Sequence, residues 1–191
     1  MYCAKILTVI CLFIMMPAAA FAVPTKYGVV SIDAQKNAVN HNNRGVIYMQ
    51  DRYYAAAIKE FQMAVLLDPD TQASAVYYAN LANCYMKIGY PALAQDTLQR
   101  AVNLNPMNFN YYQDLVAVYS RLDILDTQLK RWRRDTAANP LGLVMQGLIL
   151  IEQGKYDAGM AKLYEFVYTE PDLIITAGVK SFIEKQNKER F

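Results

Sequence analysis

The stretch Ala57-Ile-Lys-Glu-Phe61-Gln-Met-Ala64-Val-Leu-Leu-Asp-Pro69 returns at the same internal offsets as Ala94-Gln-Asp-Thr-Leu98-Gln-Arg-Ala101-Val-Asn-Leu-Asn-Pro106. Small, bulky and small residues fall on one stripe at helical spacing, a face that packs onto a neighbouring helix. The closing proline has no amide hydrogen and disfavours helix at the residue before it, so each copy reads as a helix that stops at Asp68 or Asn105.

Ahead of each copy lies a second matching segment, with Gly45 and Tyr48 in the first answered by Ala82 and Tyr85 in the second. The repeating unit is therefore a pair of helices, and the small residue marks where their axes press closest. A third copy runs through Tyr112, Leu115, Val116 and Tyr119, places Trp132 in the bulky slot and closes at Pro140, departing from small residues at Gln128 and Asp135. A fourth reads Leu143, Gly147, Leu150, Gly159, Leu163 and Pro171, with Phe166 in a slot that is small elsewhere. The four dipeptides Asp68-Pro69, Asn105-Pro106, Asn139-Pro140 and Glu170-Pro171 are expected to end four second helices. Beyond them Ile175, Val179, Phe182 and Ile183 share one helical face, the pattern of an amphipathic helix covering the last repeat.

The pattern resembles the tetratricopeptide repeat, whose signature is W-x2-L-G-x2-Y, then A-x3-F, then Pro. The resemblance implies an all-α solenoid of about four helix hairpins with a C-terminal capping helix. Its boundaries are 38–71, 75–108, 109–140 and 141–171 for the hairpins and 172–191 for the cap. It also implies a concave groove, lined by the first helix of each repeat, that takes an extended peptide or a partner helix. Mapped onto this chain, the groove would carry Asn42, Val46 and Met49, then Ala79, Asn83 and Met86, then Gln113 and Ala117, and finally Val144 and Leu148. Members of the family that hold a terminal carboxylate use a set of cations and amides. The matching positions here are Asn42, Val46, Asn80, Asn110 and Asp114, of which only Asn80 agrees. Asp114 would repel a carboxylate, so acidic C-terminal tails of the chaperone type are not expected as ligands.

The first 22 residues read as a signal peptide. Lys5 supplies the positive start, Ile6 to Met16 the apolar run, and Ala20-Phe21-Ala22 the cleavage signal. Residues 23–37 lack periodicity and read as a tether. The expectation is export to the periplasm or outside the cell; the alternative is an uncleaved membrane anchor, because no charge falls between Ile6 and Thr25. Membrane contact is expected only in that case. Cys84 is the one cysteine beyond the leader, so no intramolecular disulfide follows.

Nothing in the chain supports catalysis. There is one histidine, His41, read as a packing or capping residue, and Cys84 reads as a buried thiol. With so few soft ligands no zinc-type set assembles, no glycine-rich phosphate cradle occurs, and no cofactor is expected. Glu152 and Asp157 are the only carboxylates near a turn worth weighing as a hydrolase pair, and they stand isolated. A net charge of +2 gives no footprint for nucleic acid. The densest cationic run, Lys130-Arg-Trp132-Arg-Arg134, reads as a solvated helix face with Trp132 turned inward. The expected function is a non-catalytic scaffold or adaptor for a protein or peptide partner; the alternative is a self-assembling component of an envelope complex, with the oligomeric state open.

Overall fold

The computed structural model describes residues 33–135 and 139–190, so the leader and the tether up to residue 32 lie outside the described residues. Among them there are nine helices and no strand: α1 Ala34–Gln50, α2 Tyr54–Leu67, α3 Ser74–Lys87, α4 Pro91–Leu104, α5 Phe109–Arg121, α6 Leu125–Asp135, α7 Leu141–Glu152, α8 Tyr156–Thr169 and α9 Ile174–Arg190. The first helix begins before residue 38. Asp33 caps it by accepting the Lys36 amide at 2.9 Å, so residues 34–37 belong to α1 rather than to a tether.

Four turns join the helices of each pair, and all four are built alike. Arg52, Gly89, Asp123 and Gly154 sit in the left-handed region with φ of 62°, 84°, 57° and 77°. The next amide reaches back across the turn, Tyr53 to the Tyr48 carbonyl at 2.8 Å, Tyr90 to Tyr85 at 2.9 Å, Ile124 to Tyr119 at 3.0 Å and Lys155 to Leu150 at 2.8 Å. This bonding satisfies the orphan carbonyls of the first helix and reverses the chain within two residues. Glycine adopts that backbone freely, whereas Arg52 and Asp123 adopt it against the Cβ clash.

At the other junctions the proline rule holds three times. Asp68, Asn105 and Glu170 end α2, α4 and α8 in extended backbone, with φ of −145°, −141° and −127°. Buried hydroxyls close two of these corners, Ser74 donating to the Asp68 carbonyl at 2.5 Å and Thr176 to that of Glu170 at 2.6 Å. The third proline does something else. Helix α6 ends at Asp135, and Asn139-Pro140 starts the following helix, with the Asn139 side chain accepting the Leu141 amide at 3.0 Å.

Pairing within a hairpin depends on one residue from each helix, Gly45 with Phe61, Ala82 with Leu98, Val116 with Trp132 and Gly147 with Leu163, all at the same sequence separation. A Cβ on Gly45 would lie 2.6 Å from the Phe61 ring, and one on Gly147 would lie 2.6 Å from Leu163. Small against large lets the axes close. In the third copy both partners are large, and α6 scarcely touches α5, packing mainly on α7 instead. The departure of this repeat thus centres on Val116 and Trp132, more than on Gln128, which the structure buries, or Asp135.

The helix stripes are buried as their spacing predicts. Ala57, Ala64, Ala94 and Ala101 are sealed, with Phe61 and Leu98 beside them, and Phe166 occupies the fourth repeat's slot without exposure. Tyr77/Tyr78 and Tyr111/Tyr112 are buried in pairs, because α3 packs on α2 and α4, and α5 on α4 and α7, so that each helix has two covered faces. The main core runs from Ala75 to Ile183, and α1 joins it through a smaller cluster around Phe61, Leu81 and Cys84.

Two stability predictions follow from these contacts. Arg52→Gly should add about 0.5–1 kcal/mol by removing left-handed strain, while Gly89→Ala should remove about 1 kcal/mol; urea melts showing neither shift would contradict the turn analysis. Gly45→Ala should cost about 1–3 kcal/mol, and Phe61→Leu in that background should restore part of it, since the second repeat closes with alanine against leucine.

Candidate functional site

The concave side is formed by α1, α3, α5 and α7, and the structure divides it into three sections of different character. In the first, Asn42, Val46 and Met49 are all half-buried. Val46 and Met49 pack against the Phe61, Leu81 and Cys84 cluster, so they seal a helix junction rather than present an open wall. The Asn80 amide is engaged too, donating to the Asn42 Oδ1 at 2.9 Å. The single position that matched a carboxylate-holding set is therefore tied to the neighbouring helix.

On the same hairpin His41 is part-buried and bound to a carboxylate. Its Nδ1 lies 2.7 Å from the Glu60 carboxylate, which Arg44 also approaches at 3.0 Å. Burial pushes the Glu60 carboxyl up, but the hydrogen bonds from His41 and Arg44 and their charge outweigh it and hold the group below its usual value. The trio ties α1 to α2 and points away from chemistry.

The middle section is open. A cavity of about 360 Å³ lies across α3 and α5, and Ala79, Met86 and Ala117 supply its apolar walls, with the nearly sealed Leu98 of α4 as its floor. Asn83, Lys87, Asp114 and Arg121 complete the lining, all of them exposed. Four of the sequence-derived groove residues, Ala79, Asn83, Met86 and Ala117, thus come together at one place. Lys87 and Arg121 were not among them. Each stands one helical turn beyond a groove residue, Asn83 and Ala117 respectively, so extending the stripe by four positions would have found both.

Asp114 is touched by water on one side and surrounded by protein on the others. That desolvation raises its carboxyl above the ordinary value of 3.8. Its charge does not stand alone in the cavity, because Lys87 and Arg121 line the same space; repulsion of an incoming carboxylate by Asp114 is offset by two cations. The electrostatic half of the argument against acidic ligands is removed.

The third section is closed. Val144 is fully buried and Leu148 almost so, which withdraws both from any groove wall, and every residue from Leu141 to Leu150 is buried. Helices α5, α6 and α8 all pack on α7, and α9 does not simply cover the end of the last repeat. Gly178 meets Phe109 at the start of α5, where an added Cβ would lie 2.8 Å from the Phe109 side chain. One turn on, the Phe182 ring stands 5.6 Å from that of Phe109 and shares a depression with Gln113, Ala117 and Leu148. The helix lies on α8 and reaches back to the start of α5.

Cys84 is fully buried, and burial pushes its thiol up to about 11, so it rests as an uncharged packing group. Among the described residues no group of three or more histidines, cysteines or carboxylates gathers where a metal ion could be held. No helix among them is long and apolar enough to cross a membrane.

A family model described as the tetratricopeptide repeat matches residues 38–71 and 75–108, the first two hairpins. Over these residues the chain is similar to the tetratricopeptide repeat. One solved structure supports the fold, and others are similar at lower scores. The crystal structure of MamA is 23% identical, with a TM-score of 0.50, covering 73% of this chain and 81% of that one. The first TPR of Spaghetti (RPAP3), bound to the HSP90 peptide SRMEEVD, is 23% identical over 63% of this chain and 94% of its own, with a TM-score of 0.49. YrrB, described as a TPR protein with an unusual peptide-binding site, is 20% identical over 75% of this chain and 74% of its own, with a TM-score of 0.46. No curated protein matches the sequence.

The raised carboxyl of Asp114 carries a sign that can be checked. The folded chain holds this proton more tightly than the unfolded chain, so stability is lost as pH rises through the range above 3.8. Asp114→Asn is expected to melt higher than the parent at neutral pH, with the difference closing as both are titrated down to 3.8 and below. A constant gap across that range would rule out desolvation as the cause.

Proposed function

We propose that this tetratricopeptide repeat protein is a non-catalytic interaction scaffold, exported from the cytoplasm, that holds a peptide segment of a protein partner in the open section between α3 and α5. The observation that carries the reading is the cavity itself, whose walls are apolar and whose edge mixes an amide, two cations and a carboxylate. An apolar side chain of the ligand fits over Leu98 between Ala79, Met86 and Ala117. Asn83 can both donate to and accept from an extended backbone, and Lys87 with Arg121 suits an acidic side chain flanking the anchor. Sections on either side are spent on internal contacts, so the ligand footprint centres on these two helices. Export is supported by the order of positive start, apolar run and A-x-A site within residues 1–22.

Crosslinking tests this directly. A photoreactive residue at Asn83 should capture a discrete partner in cells, while one at Asp96, exposed on α4, should not. Ala117→Arg, placed at an exposed position so that the fold is kept, should fill the cavity and cut capture from Asn83 at least tenfold. Equal capture from both sites, or capture untouched by Ala117→Arg in a chain that melts normally, would refute the assignment.

A further inference from the structure

Helix α6 takes no part in the concave side, and its two faces differ in kind. Leu125, Gln128, Leu129 and Trp132 are buried or half-buried. Lys130, Arg133 and Arg134 are exposed on the opposite face, with Thr127 beside them. At about 100° per residue these four positions fall within roughly a third of the helix circumference. They line one shallow depression of about 510 Å³, open to solvent, and no carboxylate is among its lining residues.

Elsewhere on the molecule exposed cations are met by neighbours: Arg44 by Glu60 at 3.0 Å, Lys162 by Glu165 at 2.6 Å and Lys185 by Glu189 at 3.7 Å. Among the described residues no side-chain hydrogen bond or ion pair engages Lys130, Arg133 or Arg134. The charge is also concentrated here. The chain carries 19 Lys+Arg against 17 Asp+Glu, and α6 alone holds four of the cations and two of the acids, so the net charge of +2 resides in this helix. One of those acids, Asp126, is already engaged, accepting from the Gln153 amide at 2.8 Å.

What this face lacks decides its partner. A docked protein centres on an aromatic or aliphatic anchor that loses its water, and the exposed side chains here are three cations and a hydroxyl. Single-stranded nucleic acid needs aromatic platforms for its bases, and Trp132 is turned to the other face. A bare cationic plane suits a surface that repeats phosphates in two dimensions, where each Lys or Arg adds attraction without being buried. The arginine forks match phosphate oxygens, and the Thr127 hydroxyl can donate to a further one.

We infer that the outer face of α6, formed by Thr127, Lys130, Arg133 and Arg134, is a peripheral docking surface for an anionic phospholipid bilayer. The contact is electrostatic and reversible, and it makes no use of the cavity between α3 and α5.

The test is cosedimentation of the full chain with two sets of vesicles, phosphatidylcholine alone and phosphatidylcholine mixed with phosphatidylglycerol. The parent should bind the mixed set at least about tenfold more tightly, and the preference should vanish as salt is raised. Apolar insertion by the first 22 residues would register on both sets, so only the difference between them reads α6. Replacing Lys130, Arg133 and Arg134 together by glutamine should abolish the preference and leave the melting temperature near that of the parent, since all three are exposed. Lys180→Gln, Lys185→Gln and Lys188→Gln remove the same charge from the exposed face of α9 and should leave the preference intact. Equal binding of the parent to both sets, or a preference lost equally in the α9 control, overturns the proposal. So does retention on polyglutamate or RNA that the α6 substitutions abolish, in a chain with no preference for the mixed vesicles. If the triple variant fails to fold, Lys130→Gln alone decides: a reduced preference supports the docking surface and an unchanged one overturns it.

Discussion

The contact on which this molecule rests is a small residue of one helix pressed against a large residue of the next. Where Gly45 receives the Phe61 ring, or Gly147 receives Leu163, the missing Cβ is the space the partner occupies. Two helices that close this far bury their stripes as a unit, and the unit then offers a flat face to the following pair. Interior packing is dense enough that one added methyl group is felt, so the pairing sets helix separation and, through it, the curvature of the concave side. The third hairpin shows the converse. There the matching positions hold two large residues, Val116 and Trp132, and α6 packs mainly on α7. One pair of side chains thus separates a regular half of the array from an irregular one.

That division explains which parts of the fold could be read from the sequence. The first two repeats were legible because their signals are local: alanines at helical spacing, a proline after each second helix, and turn positions that tolerate left-handed backbone. The family match covers these same two hairpins. Asn139-Pro140 misled because a pre-proline residue marks either the end of one helix or the start of another, and which applies depends on whether an asparagine side chain is free to cap, as Asn139 does for Leu141. The burial of both members of Tyr77/Tyr78 and of Tyr111/Tyr112 has a related cause. Periodicity assigns one buried face to a helix, and α3 and α5 have two.

The site was legible in part. Positions on α3 and α5 were found from the repeat register, since a groove wall follows directly from helix phase. Val144 and Leu148 were not, because nothing local to α7 reveals that α5, α6 and α8 all pack on it. The pattern of Ile175, Val179, Phe182 and Ile183 announces an amphipathic helix but not its address. An apolar stripe is a non-directional requirement for cover, and the structure meets it on the concave side rather than at the end of the stack.

In a simple solenoid each repeat touches only its neighbours, so order can spread along the chain as it emerges. Helix α9 breaks that rule, touching α8 of the fourth hairpin and α5 of the third. It acts as a strut across the one joint that side-chain shape leaves weak. The first two hairpins need nothing beyond Pro106 or so to close. The joint after them includes the contact of Phe109 with Gly178 and Phe182, which ties residues much further apart in sequence than any pairing inside a hairpin.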